Sequence, residues 1–246
     1  MNLRLFFACA VLAACGAPND PASTPSVERL QYPETRKDSI AGDSLHGTFV
    51  ADPYRWLEND TSVATKAWVD GQNAVTNAFL EKIPFRKDIA KRYEELFNFP
   101  KVSAPIKVGD LFFQYRNSGL QNQSVIYVRK GLDGEDKVFI DPNAIDPAGT
   151  TTFNLMGASN DDRYMAVGVQ KAGSDWQDIT LWDLGAMKEL PDVLKWAKFS
   201  GVAWYKNGFF YSRYPTPTRG TELSAASQWQ KVYYHKVGDP QEKDAL

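Results

Sequence analysis

The stretch RYMAVGVQKAGSDWQDITLWDL, residues 163–184, sets the fold class. Two runs of aliphatic, β-branched and aromatic side chains, Tyr164-Met165-Ala166-Val167 and Ile179-Thr180-Leu181-Trp182, flank a connection carrying Gly173, Ser174 and Asp175. Such side chains fit a pleated, half-buried surface, and the residues between them favour a turn, so the segment predicts paired strands. The same kind of run extends outward through DLFFQYR, SVIYVRK, KVFIDP and NLMGAS on one side and FSGVAWY, GFFYSRY and KVYYHKV on the other. No helical spacing intervenes, which makes residues 101–246 an all-β region.

The runs also repeat. Phe112, Tyr164 and Phe209 open corresponding runs 52 and 45 residues apart, and their successors open at Val125, Ile179 and Val232, 54 and 53 apart. A period near 45 to 50 residues that holds about four strands is that of a β-propeller blade. A single β-sandwich, the competing architecture, has no need of matched spacing. Propellers close with about 4 to 8 blades, and this length holds roughly three. The third lacks its fourth strand, so the expectation is a partial propeller truncated at Leu246.

Before the strands the period is helical. Val63, Ala67, Val69, Ala74, Val75, Ala78, Phe79 and Ile83 recur at helix spacing, with Thr61 or Ser62 as N-cap, and a second helix is expected from Arg86 to Phe97 after Pro84. Pro100 and Pro105 then punctuate the chain. The fold class is therefore mainly β, a partial propeller preceded by an α-helical segment.

Composition narrows the function. The 246 residues carry 28 Lys+Arg against 30 Asp+Glu, with 43% hydrophobic and 24% charged side chains, which excludes disorder, a collagen-like fibre and a polytopic membrane protein. A net charge of −2 offers no basic field for a phosphate backbone, so no nucleic-acid partner is expected. Residues 1–14 read as a signal peptide: Arg4 precedes an apolar run from Leu5 to Ala14, too short to span a bilayer as a mature helix. Leu12-Ala13-Ala14-Cys15 resembles the bacterial lipobox, which makes Cys15 the lipid anchor of an exported periplasmic or membrane-anchored lipoprotein; the bland alternative is an ordinary signal peptide with Cys15 incidental. Residues 15–29, rich in proline and without hydrophobic period, read as a tether. Cys9 lies within the leader, so the mature chain has no disulfide, and its cysteine count suggests no metal site.

Residues 32–59, YPETRKDSIAGDSLHGTFVADPYRWLEN, resemble the N-terminal signature of the prolyl oligopeptidase family of serine peptidases. Asp43, His46, Gly47, Val50, Asp52, Pro53, Tyr54, Arg55, Trp56, Leu57 and Glu58 carry the match. It continues through VFIDPN (138–143), AGSDWQDITLWDL (172–184), KELPDVL (188–194), KFSGVAW (198–204), GFFYSRYP (208–215) and QKVYYHKVGDP (230–240). One departure is SNDDRY, with Asp162 where glycine is common, a substitution that a left-handed turn position tolerates. The resemblance implies an α/β-hydrolase domain whose first helices come from the start of the chain, and a seven-bladed propeller that covers the active site and admits short peptides for cleavage after proline. On that footing residues 30–100 are the helical extension of the peptidase domain and residues 101–246 the first blades. The implied partners are short proline-containing peptides and the missing C-terminal catalytic domain.

A serine nucleophile needs a base, an orienting carboxylate and a G-x-S-x-G elbow. No such string occurs; the nearest are Gly157-Ala158-Ser159 and Gly173-Ser174-Asp175, both read as turns. Of the two histidines, His46 is expected to make a structural hydrogen bond and His235 to end a strand, facing solvent or a neighbouring blade. Neither has metal-ligand spacing, Asp52, Asp141 and Asp175 read as turn residues, and no phosphate-binding glycine loop or cofactor motif is present. This chain is thus expected to hold no catalytic residue of its own and to be inactive alone. Trp176, Trp182, Trp196, Trp204 and Trp229 are expected to seal blade packing rather than to form a stacking surface, although a position near Trp229 could border substrate. A reading of another class is a non-catalytic lipoprotein that uses a partial propeller as a binding module.

Overall fold

A computed structural model of the chain describes residues 29–223 and 225–246. The leader, Cys15 and all but the last residue of the tether lie outside the described residues.

The N-terminal part opens with a hairpin that the sequence pattern did not indicate, β1 (Gly42–Leu45) against β2 (Thr48–Ala51). Its two-residue turn puts His46 and Gly47 at φ of 50° and 82°, the left-handed pair that a tight antiparallel turn needs. After a 3-10 turn at Arg55–Glu58 come α1 (Val63–Glu81) and α2 (Arg86–Phe97), separated around Pro84 as the spacing predicts. Ser62, of the two candidates, caps α1: its Oγ accepts the Thr65 N–H at 3.0 Å. Thr65 is the one buried residue of the two helices. Their apolar side chains, Val69, Phe79, Ile89, Tyr93, Leu96 and Phe97 among them, are exposed.

The rest forms three consecutive antiparallel sheets. In the first, β5 (Leu111–Asn117), β6 (Val125–Lys130) and β7 (Lys137–Ile140) follow an edge strand in two pieces, β3 (Lys101–Val102) and β4 (Ile106–Val108). Pro105 has no N–H to give the ladder at that break, and the Ser103 hydroxyl takes the Tyr115 N–H there at 3.0 Å. A one-turn α3 (Pro142–Ile145) leads to the second sheet, β8 (Thr151–Ala158), β9 (Tyr164–Lys171), β10 (Gln177–Asp183) and β11 (Lys188–Ala197), paired in sequence order. β11 carries Pro191 and alternates charged with apolar residues, as an edge strand can. The third sheet has β12 (Ala203–Tyr205), β13 (Gly208–Arg213) and β14 (Lys231–Lys236). A fourth strand only begins: Ala245 bridges Tyr234 through two backbone hydrogen bonds of 2.7 and 3.1 Å. These sheets are blades of a partial propeller, and they do not close a ring among the described residues.

The core lies between blades. Phe113, Ile126, Val128, Phe139 and Ile140 of the first blade pack on Met165, Val167 and Leu184 of the second. Ala166, Ile179, Leu181 and Leu194 of the second pack on Phe209 and Tyr211 of the third. Met165 and Val167 thus face one neighbour and Ala166 the other, so β9 reads as a continuous apolar run because both of its faces are covered.

Candidate functional site

The strongest concentration of buried ionisable groups joins the second and third blades. β14 places His235 in the seam with no solvent exposure, its ring tilted against that of Phe209 with centroids 5.5 Å apart. Its Nδ1 lies 2.7 Å from Oδ1 of Asp244, and its Nε2 lies 3.0 Å from Oδ1 of Asp192 on β11. Carboxylates only accept, so both ring nitrogens must donate and the side chain is an imidazolium. The Gly238 N–H also donates to Asp192 Oδ1 at 2.6 Å, and the Tyr211 hydroxyl donates to Asp244 Oδ2 at 2.6 Å. Gln241 Nε2 in turn donates to the Tyr211 hydroxyl at 3.0 Å. Burial by itself works against the imidazolium, but the hydrogen bonds to Asp244 and Asp192 outweigh it and hold its pKa above the ordinary histidine value. Burial, then the hydrogen bond to Asp244, pushes the Tyr211 phenol upward.

Chemically this cluster is a clasp. A general base needs a free imidazole lone pair aimed at a nucleophile, and here both nitrogens are committed to acids. The sequence reading of His235 as a strand-end residue facing a neighbouring blade holds for the blade and fails for solvent. The signal available was KELPDVL upstream and EKDAL downstream, but nothing in linear order brings Asp192 and Asp244 to one ring.

The other candidates sort cleanly. Ser159 is buried in a turn, where its Oγ donates to Asp161 at 2.6 Å and accepts the N–H groups of Arg163 and Tyr164. Ser174 Oγ accepts the Trp176 N–H at 3.1 Å, and Asp162 occupies its left-handed position at φ 58°. Asp52 accepts from Arg55 Nε at 3.0 Å, and Asp141 caps α3 through the Asn143 N–H at 3.0 Å. Asp175 is exposed in its turn. His46 corrects an expectation: its side chain makes no hydrogen bond among the described residues, and the turn uses it for its backbone. Among the described residues no His, Cys, Asp and Glu group is arranged to hold a metal, and no helix is long and apolar enough to cross a membrane.

Four of the five tryptophans named above pack. Trp182 meets Phe139 of the first blade at 4.7 Å between ring centroids. Trp204 meets Phe209 at 4.9 Å and donates its indole N–H to Gly157 O of the second blade at 3.1 Å. Trp176 and Trp196 stand edge to face at 5.4 Å, and the Trp196 carbonyl accepts the Tyr214 N–H at 2.9 Å. Trp229 is different: it is 76% exposed.

Residues 33–246 match the model of the prolyl oligopeptidase N-terminal β-propeller domain. The chain belongs to the prolyl oligopeptidase family. It is 42% identical over 218 residues to a prolyl endopeptidase of Elizabethkingia meningoseptica, covering 88% of this chain and 31% of that one. It is 32% identical to prolyl oligopeptidase A of Galerina marginata, over 92% and 34% of the two chains. Among solved structures, one of two prolyl endopeptidases studied for inter-domain dynamics superposes with a TM-score of 0.73 at 30% identity, over 87% and 32% of the chains. Prolyl oligopeptidase B of Galerina marginata, bound to a 35-residue substrate, superposes at 0.69 with 29% identity, over 87% and 33%. The chain spans about a third of the length of the curated relatives it matches.

Membership of the prolyl oligopeptidase family also makes physical sense of the N-terminal signature. Arg55 donates to both carboxylate oxygens of Asp43, from its Nε to Asp52 Oδ2 at 3.0 Å, and to the Gly42 carbonyl at 3.3 Å. Asp43 is correspondingly held below the usual carboxylate range by the Arg55 hydrogen bonds. Trp56 donates its indole N–H to Arg36 O at 2.9 Å, and Trp68 donates to Thr35 Oγ1 at 2.9 Å. Arg55 thus braces the hairpin, while Trp56, and Trp68 of α1, tie down the irregular segment around Thr35 and Arg36 that precedes it.

Proposed function

We propose that this chain is the propeller-bearing part of an exported serine endopeptidase that cleaves short peptides after proline, with the nucleophile, acid and base supplied by sequence beyond these 246 residues. The observation that carries the reading is the family match over residues 33–246, joined to coverage of only a third of the prolyl endopeptidase from Elizabethkingia meningoseptica. The sequence has no G-x-S-x-G elbow, and His235 has no nitrogen free for a nucleophile. The 246-residue chain alone is accordingly inactive. The purified chain is expected neither to hydrolyse a proline-containing reporter nor to take up a fluorophosphonate label; a labelled serine in it would overturn the assignment. Polypeptide that continues to a G-x-S-x-G elbow should restore both signals.

The leader supports export and a lipid on Cys15, which would hold the propeller near a membrane through the tether. Globomycin-sensitive processing and palmitate labelling lost in Cys15→Ser are the expected results. An unlabelled wild-type chain would return the protein to a soluble exported pool.

A further inference from the structure

We infer that a cationic, aromatic cavity on the third blade takes the C-terminal carboxylate of a proline-containing peptide, an inference that rests on the peptidase reading for its ligand class. The cavity, of about 530 Å³, is lined by Arg213, Tyr214, Pro215, Trp229, Lys231 and Tyr233. That volume lies within the span of small-ligand pockets, roughly 300–1,000 Å³. It sits where β13 ends and β14 begins, so the connection between those strands forms its wall. In antiparallel blades the end of the second strand lies at the same edge as the start of the first, which is where α2 delivers the chain into β3. The same connection borders the N-terminal segment, since Gly220–Leu223 and Arg55–Thr61 share a second cavity. The site therefore opens on the edge of the propeller that carries the helices.

Its charge is the telling feature. Arg213 and Lys231 are direct cross-strand partners, two cations on one face of the ladder, where like charges oppose each other. Neither makes an ion pair among the described residues, and the buried Nε of Arg213 has no hydrogen-bond partner. No acid lines the cavity. The Arg213 guanidinium carbon stacks 4.4 Å from the Tyr233 ring centroid, which fixes the plane of its donors. An anion between the two cations would relieve their repulsion. A carboxylate on a peptide suits the cavity better than a bare anion, because Trp229, Tyr214 and Pro215 offer apolar surface beside the charge, and a proline ring packs on such surface.

Calorimetry on the 246-residue chain tests this with the tetrapeptide Ala-Ala-Gly-Pro as free acid, the same peptide as C-terminal amide, and inorganic phosphate. The acid should bind about tenfold more tightly than the amide, the ratio that one charge-assisted hydrogen bond of about 1.4 kcal/mol gives. Arg213→Gln and Lys231→Gln should each erase that preference, whereas Trp229→Ala should weaken acid and amide alike. Each variant is first checked for an unchanged melting temperature, and Lys231→Gln stands alone if Arg213→Gln does not fold. Equal affinity for acid and amide, absence of saturable binding, or phosphate binding as tightly as the peptide acid would each overturn the assignment. Serine labelling, which does not involve this cavity, reports separately on the peptidase reading.

Discussion

At the scale of single residues, His235 makes the sharpest claim. Its folded pKa is raised, so the stabilisation it gives is complete below the ordinary histidine value near 6.5 and is lost as pH climbs through the folded value. The groups that face it are Asp192 from β11 and Asp244 from the chain after β14, with Tyr211 of β13 behind Asp244. With only two histidines in the chain, a His46→Gln variant leaves one imidazole for NMR. That ring should titrate later than free histidine, and an earlier titration would contradict the clasp. Replacing the ring by leucine abandons two buried carboxylates and should cost about 3–5 kcal/mol, read by denaturant unfolding at pH 6. The same variant should flatten the pH dependence of stability. His235 could be seen in the sequence as a strand residue; its role could not, because its partners lie 43 and 9 positions away in opposite directions.

At the scale of elements, the regular pieces were legible where local chemistry decides them. Ser62 caps α1 through the Thr65 N–H, and Ser62→Ala should lower stability by about 1 kcal/mol, measured as a shift in the unfolding midpoint without change in slope. The strands of the blades follow from apolar runs, and Asp162 takes the turn position at φ 58° that glycine usually fills. What the pattern did not indicate is equally instructive. β11 is an edge strand with a proline and alternating charges, so it has neither the composition nor the continuity of β9. The β1–β2 hairpin is short and largely exposed, and Arg55 rather than an apolar face holds it. Phe209 is fully buried between Trp204, Tyr211 and His235, so Phe209→Ala should cost about 3–5 kcal/mol and loosen the second seam, seen as faster amide exchange in β11 and β13.

For the whole molecule, the apolar faces without cover matter most. On α2, Ile89, Tyr93, Leu96 and Phe97 recur at helical spacing and are all exposed. A contiguous apolar stripe of that kind drives association. The 246-residue chain should therefore self-associate with rising concentration in sedimentation, and Ile89→Glu with Leu96→Glu should shift it toward monomer; a wild-type chain monomeric at high concentration would show that the stripe is too weak to matter. The two buried seams, by contrast, should unfold together, because β9 contributes a face to each.

The sequence by itself determined the strand runs, their blade-length repeat, the helix limits and the family signature, because each depends on neighbours a few residues apart or on a fixed period. Only the tertiary structure decided which side chains share a seam. Asp192, His235 and Asp244 meet across two blades, and Arg213 and Lys231 face each other across the long connection between β13 and β14. Those meetings depend on strand register and blade stacking, in which residues far apart along the chain become neighbours, and local composition carries no record of that distance.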